Sequence, residues 1–176
     1  MWVTALLLAL NFTVLCSPIE EGWKGIRPLV SDIATVNRIL GEPKIDSYSG
    51  YYRYAVDETH INVSYAAAPC SEGEYGRGEY KVPAKTVIYY SVHFRKWVKL
   101  SELEFASEKY KRVTNEHARD VVSYYSEGFG ITIITNVGEG VEYVASIDFR
   151  PAAADKERYK CKNSYNNRLL RSAIVT

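Results

Sequence analysis

TVIYYSVHFRK (86–96) and HINVSYA (60–66) decide the fold, because both alternate and a single register satisfies both. In the first, Ile88, Tyr90, Val92 and Phe94 fall on one side of an extended chain, and in the second Ile61, Val63 and Tyr65 do the same. Placing Ile61 opposite Val92 and Val63 opposite Tyr90 gathers both apolar sets on one face. A slip of one residue would turn one set into water. The same register sets His60 opposite His93 and Asn62 opposite Ser91 on the other face.

Working outward, YYRYAV (51–56) is a strand joined to 60–66 by the short turn Asp57-Glu58-Thr59. Before it, Ile33, Val36, Ile39 and Leu40 recur at spacings of three and four and predict a short helix. Ser31 is its expected N-cap, Asp32 complements the helix dipole, and Gly41 with Pro43 ends it. Residues 68–85, rich in Gly, Glu and Pro, predict a long loop. Further on, Ser101-Glu102-Leu103-Glu104 matches a capping box and predicts a second short helix. Strands at 121–126, 131–136 and 141–149 follow, linked by Gly-bearing turns. Helix and three strands are thus expected twice, as pseudo-repeats of about 28–96 and 97–151. The resulting expectation is an α+β fold: one six-stranded antiparallel sheet with short helices on one face, in a single domain over 17–160. A polar tail, 161–176, closes the chain, with a short helix expected at 168–175.

At 176 residues the chain is the size of one domain, or of two small halves fused. A net charge of +1 with interspersed signs offers no basic stripe for phosphates, which sets nucleic acid aside. Fifteen tyrosines are many for this length, and phenol rings favour strands and half-wet surfaces. MWVTALLLALNFTVLCSP (1–18) is apolar up to Glu20-Glu21, too short to span a bilayer comfortably, and reads as a signal peptide over 1–16 cleaved before Ser17. Its alternatives are an uncleaved strand or anchor, or lipidation at Cys16. The expected location is therefore secreted or periplasmic, with no transmembrane span once the leader is removed. Cys70 and Cys161 then remain, either bridged, as an oxidising compartment allows, or as two free thiols. Asn62-Val63-Ser64 is a glycosylation sequon that matters only in a eukaryotic host.

The helix that ends Ile39-Leu40-Gly41-Glu42-Pro43, followed by a Tyr-rich strand, resembles the start of the small outer-membrane assembly lipoproteins of the BamE (SmpA/OmlA) type. It is similar also to the β-lactamase-inhibitor-protein fold, whose tandem helix-plus-sheet halves build one curved antiparallel sheet. Through Ile147-Asp148-Phe149-Arg150-Pro151 to Cys161 the chain looks like a group of secreted bacterial proteins, from which no function carries over. No Leu-Gly-x-Pro opens the second unit.

No nucleophile elbow, zinc-protease helix motif or phosphate loop occurs in the sequence, and the glycines of GEYGRG (73–78) open no expected helix. His60 and His93, as cross-strand neighbours, lie close enough to share a metal ion if Asp57 or Glu58 supplies a third ligand, with His117 elsewhere. This is the alternative reading, a small metal-dependent enzyme or hydrolase. The leading one rests on Tyr51-Tyr52, Tyr89-Tyr90 and Tyr124-Tyr125, since adjacent residues on a strand send one ring to each face. Tyr52, Tyr89 and Tyr125 are taken as the outward rings, beside His60 and His93. Together they predict a non-catalytic binding surface, needing no cofactor, for another protein of the envelope or the cell exterior.

Overall fold

Alternating side chains leave every second residue of a strand for the core, and eight stretches of the chain use this to build one antiparallel sheet. The computed structural model describes residues 19–45, 51–70, 79–114, 118 and 120–161. The strands are β1 (Lys44–Ile45), β2 (Tyr52–Val56), β3 (Thr59–Tyr65), β4 (Val87–Lys99), β5 (Lys111–Thr114), β6 (Val121–Ser126), β7 (Ile131–Gly138) and β8 (Val141–Phe149). Their spatial order, β1-β2-β3-β4-β8-β7-β6-β5, is that of two meanders meeting along β4 and β8. Between β3 and β4, Ile61 lies opposite Val92 and Val63 opposite Tyr90, as the alternation requires. One detail differs. An irregularity after Ser64 pairs Tyr65 with Val87, so Val87 joins the main core and Ile88 turns to a smaller cluster with Leu29, Ala66 and Val82.

The main core lies on one side of the sheet. Ile61, Val63, Tyr90, Val92, Ile133 and Ile147 are fully enclosed there. Tyr90 stacks on Phe149 with ring centroids 4.3 Å apart. Its hydroxyl donates to the Ile26 carbonyl at 2.6 Å and accepts from the Trp23 amide at 2.9 Å, which fastens the segment before the first helix to the central strands. Helix α1 (Ile33–Leu40) adds Val36 and Leu40 to this core. Its cap is Asp32, which accepts from the Thr35 amide at 2.8 Å, while the expected cap, Ser31, accepts from the Arg27 amide instead. Gly41, at φ 86°, ends the helix in a conformation that side chains disfavour.

The tandem α+β architecture, two helix-plus-three-strand units with helices on one face, is overturned. A single eight-stranded sheet takes its place, with little helix. After β4 the expected second helix is absent. Leu100–Glu102 and Ser107–Lys109 form single 3-10 turns, and the chain continues into β5. The physical reason is tertiary: β6 offers a strand edge to the residues after Tyr110, and this outweighs the helical spacing shared by Leu100, Leu103 and Tyr110. These residues and Phe105 reach the core edge singly, Phe105 against Tyr110 at 5.2 Å. The other α-helix among the described residues, α2 (Ala153–Tyr159), follows β8 and buries none of its own residues.

Cys70 and Cys161 form a disulfide, with Cα atoms 5.6 Å apart. No helix among the described residues is long and apolar enough to cross a membrane. The leader, Cys16, the 73–78 glycines, His117 and the tail beyond Cys161 lie outside the described residues.

Candidate functional site

The face turned away from the core carries a hollow of about 720 Å³ at one end, lined by Tyr51, Tyr80, Tyr89 and Tyr125. The pleat puts Tyr89 and Tyr125 there, because their neighbours Tyr90 and Tyr124 lie opposite the core residues Val63 and Ile133. Tyr51 leans onto Tyr89, ring centroids 6.3 Å apart. Tyr52 goes the other way: it pairs with Val63, and its ring meets that of Tyr65 edge-on at 4.8 Å on the core side. The phase follows from the two-residue turn Asp57-Glu58, which pairs Val56 with Thr59 and therefore Tyr54 with Ile61. Tyr51, not Tyr52, is the outward ring of that pair.

Two segments that meet at the disulfide wall the hollow. The Cys70 amide donates to the Tyr80 carbonyl at 3.1 Å, the Cys161 amide to the Glu79 carbonyl at 2.9 Å, and the Lys81 amide to the Tyr159 carbonyl at 2.7 Å. Tyr80 and α2 are thereby tied to each other as well as to the sheet. Arg150 holds its guanidinium 5.5 Å from the Tyr89 ring centre, and the Lys111 ammonium lies 5.8 Å from that of Tyr125. Gly130 floors the hollow at φ 68°, and a Cβ there would meet the Arg150 carbonyl oxygen. Burial, reinforced by the charge of Asp148, pushes the Tyr89 phenol up to about 12. Burial also raises Tyr80. These phenols stay neutral at physiological pH, so they offer ring faces and hydrogen bonds rather than a phenolate base or nucleophile.

Beside the hollow runs a polar row, one cross-strand step along the same face. Arg53 lies opposite Asn62, Asn62 opposite Ser91, Ser91 opposite Asp148, and Asp148 opposite Thr132. Arg53 donates through Nε to Asn62 Oδ1 at 3.3 Å.

His60 and His93 stand opposite each other in the next row, yet each imidazole is engaged elsewhere. Arg95 Nε donates to His60 Nε2 at 2.8 Å, and His93 Nε2 lies 2.9 Å from Ser91 Oγ. The two proposed third ligands are also occupied, Asp57 by Lys24 at 3.4 Å and Glu58 by Lys96 at 2.9 Å. Burial and the charges of Arg95, Arg53 and His93 hold the His60 pKa below its ordinary value. This environment repels cations. No group of three or more potential ligands gathers among the described residues.

Sequence reasoning missed one polar constellation, on the core side of the second meander. Glu142 accepts from Arg112 Nη2 at 3.0 Å, from the Tyr124 hydroxyl at 3.0 Å and from Thr135 Oγ1 at 2.9 Å, tying β5 through β8 together. Burial pushes the Glu142 carboxyl up, but hydrogen bonds from Arg112, Thr135 and Tyr124 outweigh it and leave the carboxyl below the ordinary range. Thr135 is fully buried and Arg112 half exposed, and with all its hydrogen bonds going to neighbouring strands the group reads as a structural clamp. The signal available in sequence was Glu142, one of two acids with Asp148 in the mostly apolar stretch 141–149.

No protein-family model, curated protein or solved structure matches the chain. The resemblance at Val36–Pro43 is neither supported nor contradicted by those comparisons.

Proposed function

We propose that the chain is an exported, non-catalytic binding protein that attaches to another component of the envelope or the cell exterior through its outward sheet face. The observation that carries this reading is the hollow ringed by Tyr51, Tyr80, Tyr89 and Tyr125, whose walls are cross-linked by the disulfide. Rigid rings around a preformed concavity give large contact area at low conformational cost, the usual makeup of a binding hot spot. A disulfide closing so long a loop belongs to an oxidising compartment, which supports a secreted or periplasmic location. The protein partner expected from the sequence would seat a projecting side chain in the hollow.

The test is affinity capture from the native extracellular or envelope fraction. The oxidised chain is compared with a Tyr89→Ala/Tyr125→Ala variant, and both the protein and the glycan fractions are recovered. A bound component retained by the parent and lost by the variant supports the reading. Identical recoveries from both would sink it.

A further inference from the structure

The outward face carries two parallel rows that cross the sheet side by side. One is aromatic: Tyr51 against Tyr89, with the Arg150 guanidinium over Tyr89. The other is hydrogen-bonding: Arg53, Asn62, Ser91, Asp148 and Thr132, in cross-strand succession, and it ends on the Tyr125 ring opposite Thr132. Same-face neighbours along a strand are ~7 Å apart, and the span from β2 to β6 is ~24 Å, so the two rows bound a strip rather than a point. The charges lining the hollow cancel, Arg150 and Lys156 against Glu79 and Glu127.

Each class of ligand asks something different of such a strip. An anionic ligand wants one sign of charge, and the signs here balance. A lipid or apolar chain wants an apolar lining, whereas this one mixes rings and aliphatic side chains with hydroxyls, two carboxylates and two cations. An extended peptide wants an open strand edge, and the edges are β1 and β5, at the far ends of the sheet. A neutral sugar chain matches both rows. Its ring C–H faces are apolar and stack on phenol rings, while its hydroxyls donate and accept equally and need both kinds of partner. We infer that the hollow and the adjoining polar row bind a neutral oligosaccharide, the sugar faces on Tyr89 and Tyr125 and the hydroxyls on Asn62, Asp148 and Thr132. The inference rests on the binding-face reading above and names the ligand class for that same face.

The test is calorimetric titration of the oxidised chain with cellohexaose, xylohexaose, mannohexaose and chitohexaose. At least one is expected to bind, and Tyr89→Ala and Tyr125→Ala should each weaken it by about tenfold or more. Tyr89→Phe, which keeps the ring, should stay within about threefold. Trp97→Ala should bind as the parent does, since Trp97 stands 74% exposed at the far end of β4 against Tyr143. Far-ultraviolet dichroism and thermal melts confirm that each variant is folded. If no member of the panel binds more tightly than about 1 mM, the oligosaccharide inference fails. If the capture experiment then still yields a protein lost with Tyr89 and Tyr125, the binding face stands with a protein ligand. If capture also shows no dependence on those rings, both readings fall.

Discussion

Replacing Cys70 and Cys161 together by Ser tests how much of the stability comes from the link between the hollow's two walls. The bridge joins residues 91 apart in sequence. On the chain-entropy model a loop of that length removes ~15 cal/mol/K from the denatured chain, or about 4.6 kcal/mol at 25 °C. Cys70 sits at φ 48°, a conformation that costs a side-chain-bearing residue about 1–2 kcal/mol, and part of that strain relaxes once the tether is gone. The expected loss is therefore about 3–4 kcal/mol. Urea unfolding followed by tryptophan fluorescence reads it, because Trp23 packs edge-on against Phe94 and reports on the core. With a slope of about 2 kcal/mol/M, the midpoint should fall by roughly 1.5–2 M. A shift below about 0.5 M at unchanged slope would refute the reasoning, since the cross-link would then be doing little to the denatured chain.

Three further outcomes are expected. Tyr90→Phe keeps the stack on Phe149 but strands the Ile26 carbonyl and the Trp23 amide, and should cost about 2–3 kcal/mol in the same assay; a loss under about 0.5 kcal/mol would mean those groups find other partners. Because the folded Glu142 carboxyl titrates below its unfolded value near 4.5, its contribution is complete above that pH and is lost as pH falls through the folded pKa. Melting temperatures of the parent should accordingly drop more steeply on the acid side of pH 4.5 than those of Glu142→Gln, and parallel curves would contradict the clamp. Zinc titration should show no stoichiometric site, given the cationic setting of His60 and His93; binding that disappears in His60→Ala/His93→Ala would restore the metal-enzyme alternative.

The sequence made most legible what alternation governs directly. The β3–β4 register, the hairpins of the second meander and α1 all follow from apolar periodicity with turn residues at the ends. Lys111–Thr114 offered no such pattern, being exposed along its whole length, and becomes a strand only because β6 supplies a partner edge. The capping-box letters at 101–104 and the apolar spacing after them suit a helix. The chain there instead makes 3-10 turns and then pairs with β6, a tertiary choice that local pattern does not encode. Tyr51 against Tyr52 was decidable: a two-residue turn fixes the phase of β2 from that of β3. The hollow itself was not legible. It requires Tyr80, from a loop, and Lys156, from a polar helix, to be brought over the sheet by a disulfide, and no local pattern encodes that approach.

The seam between β4 and β8 sets the order of events when the chain folds. Each meander pairs strands that follow one another in the chain, the widest gap being the one from Tyr65 to Val87, whereas Tyr90 and Phe149, paired across the seam, are about 60 residues apart. The meanders should thus gain structure first and the seam last, carrying the loop-closure entropy of the transition state. Cys70 follows the third strand and Cys161 the eighth, so the bridge spans that junction. Oxidation before the seam zips shortens the search by tethering the halves. Oxidation afterwards locks a pairing already made, so the supply of oxidant becomes a determinant of folding speed.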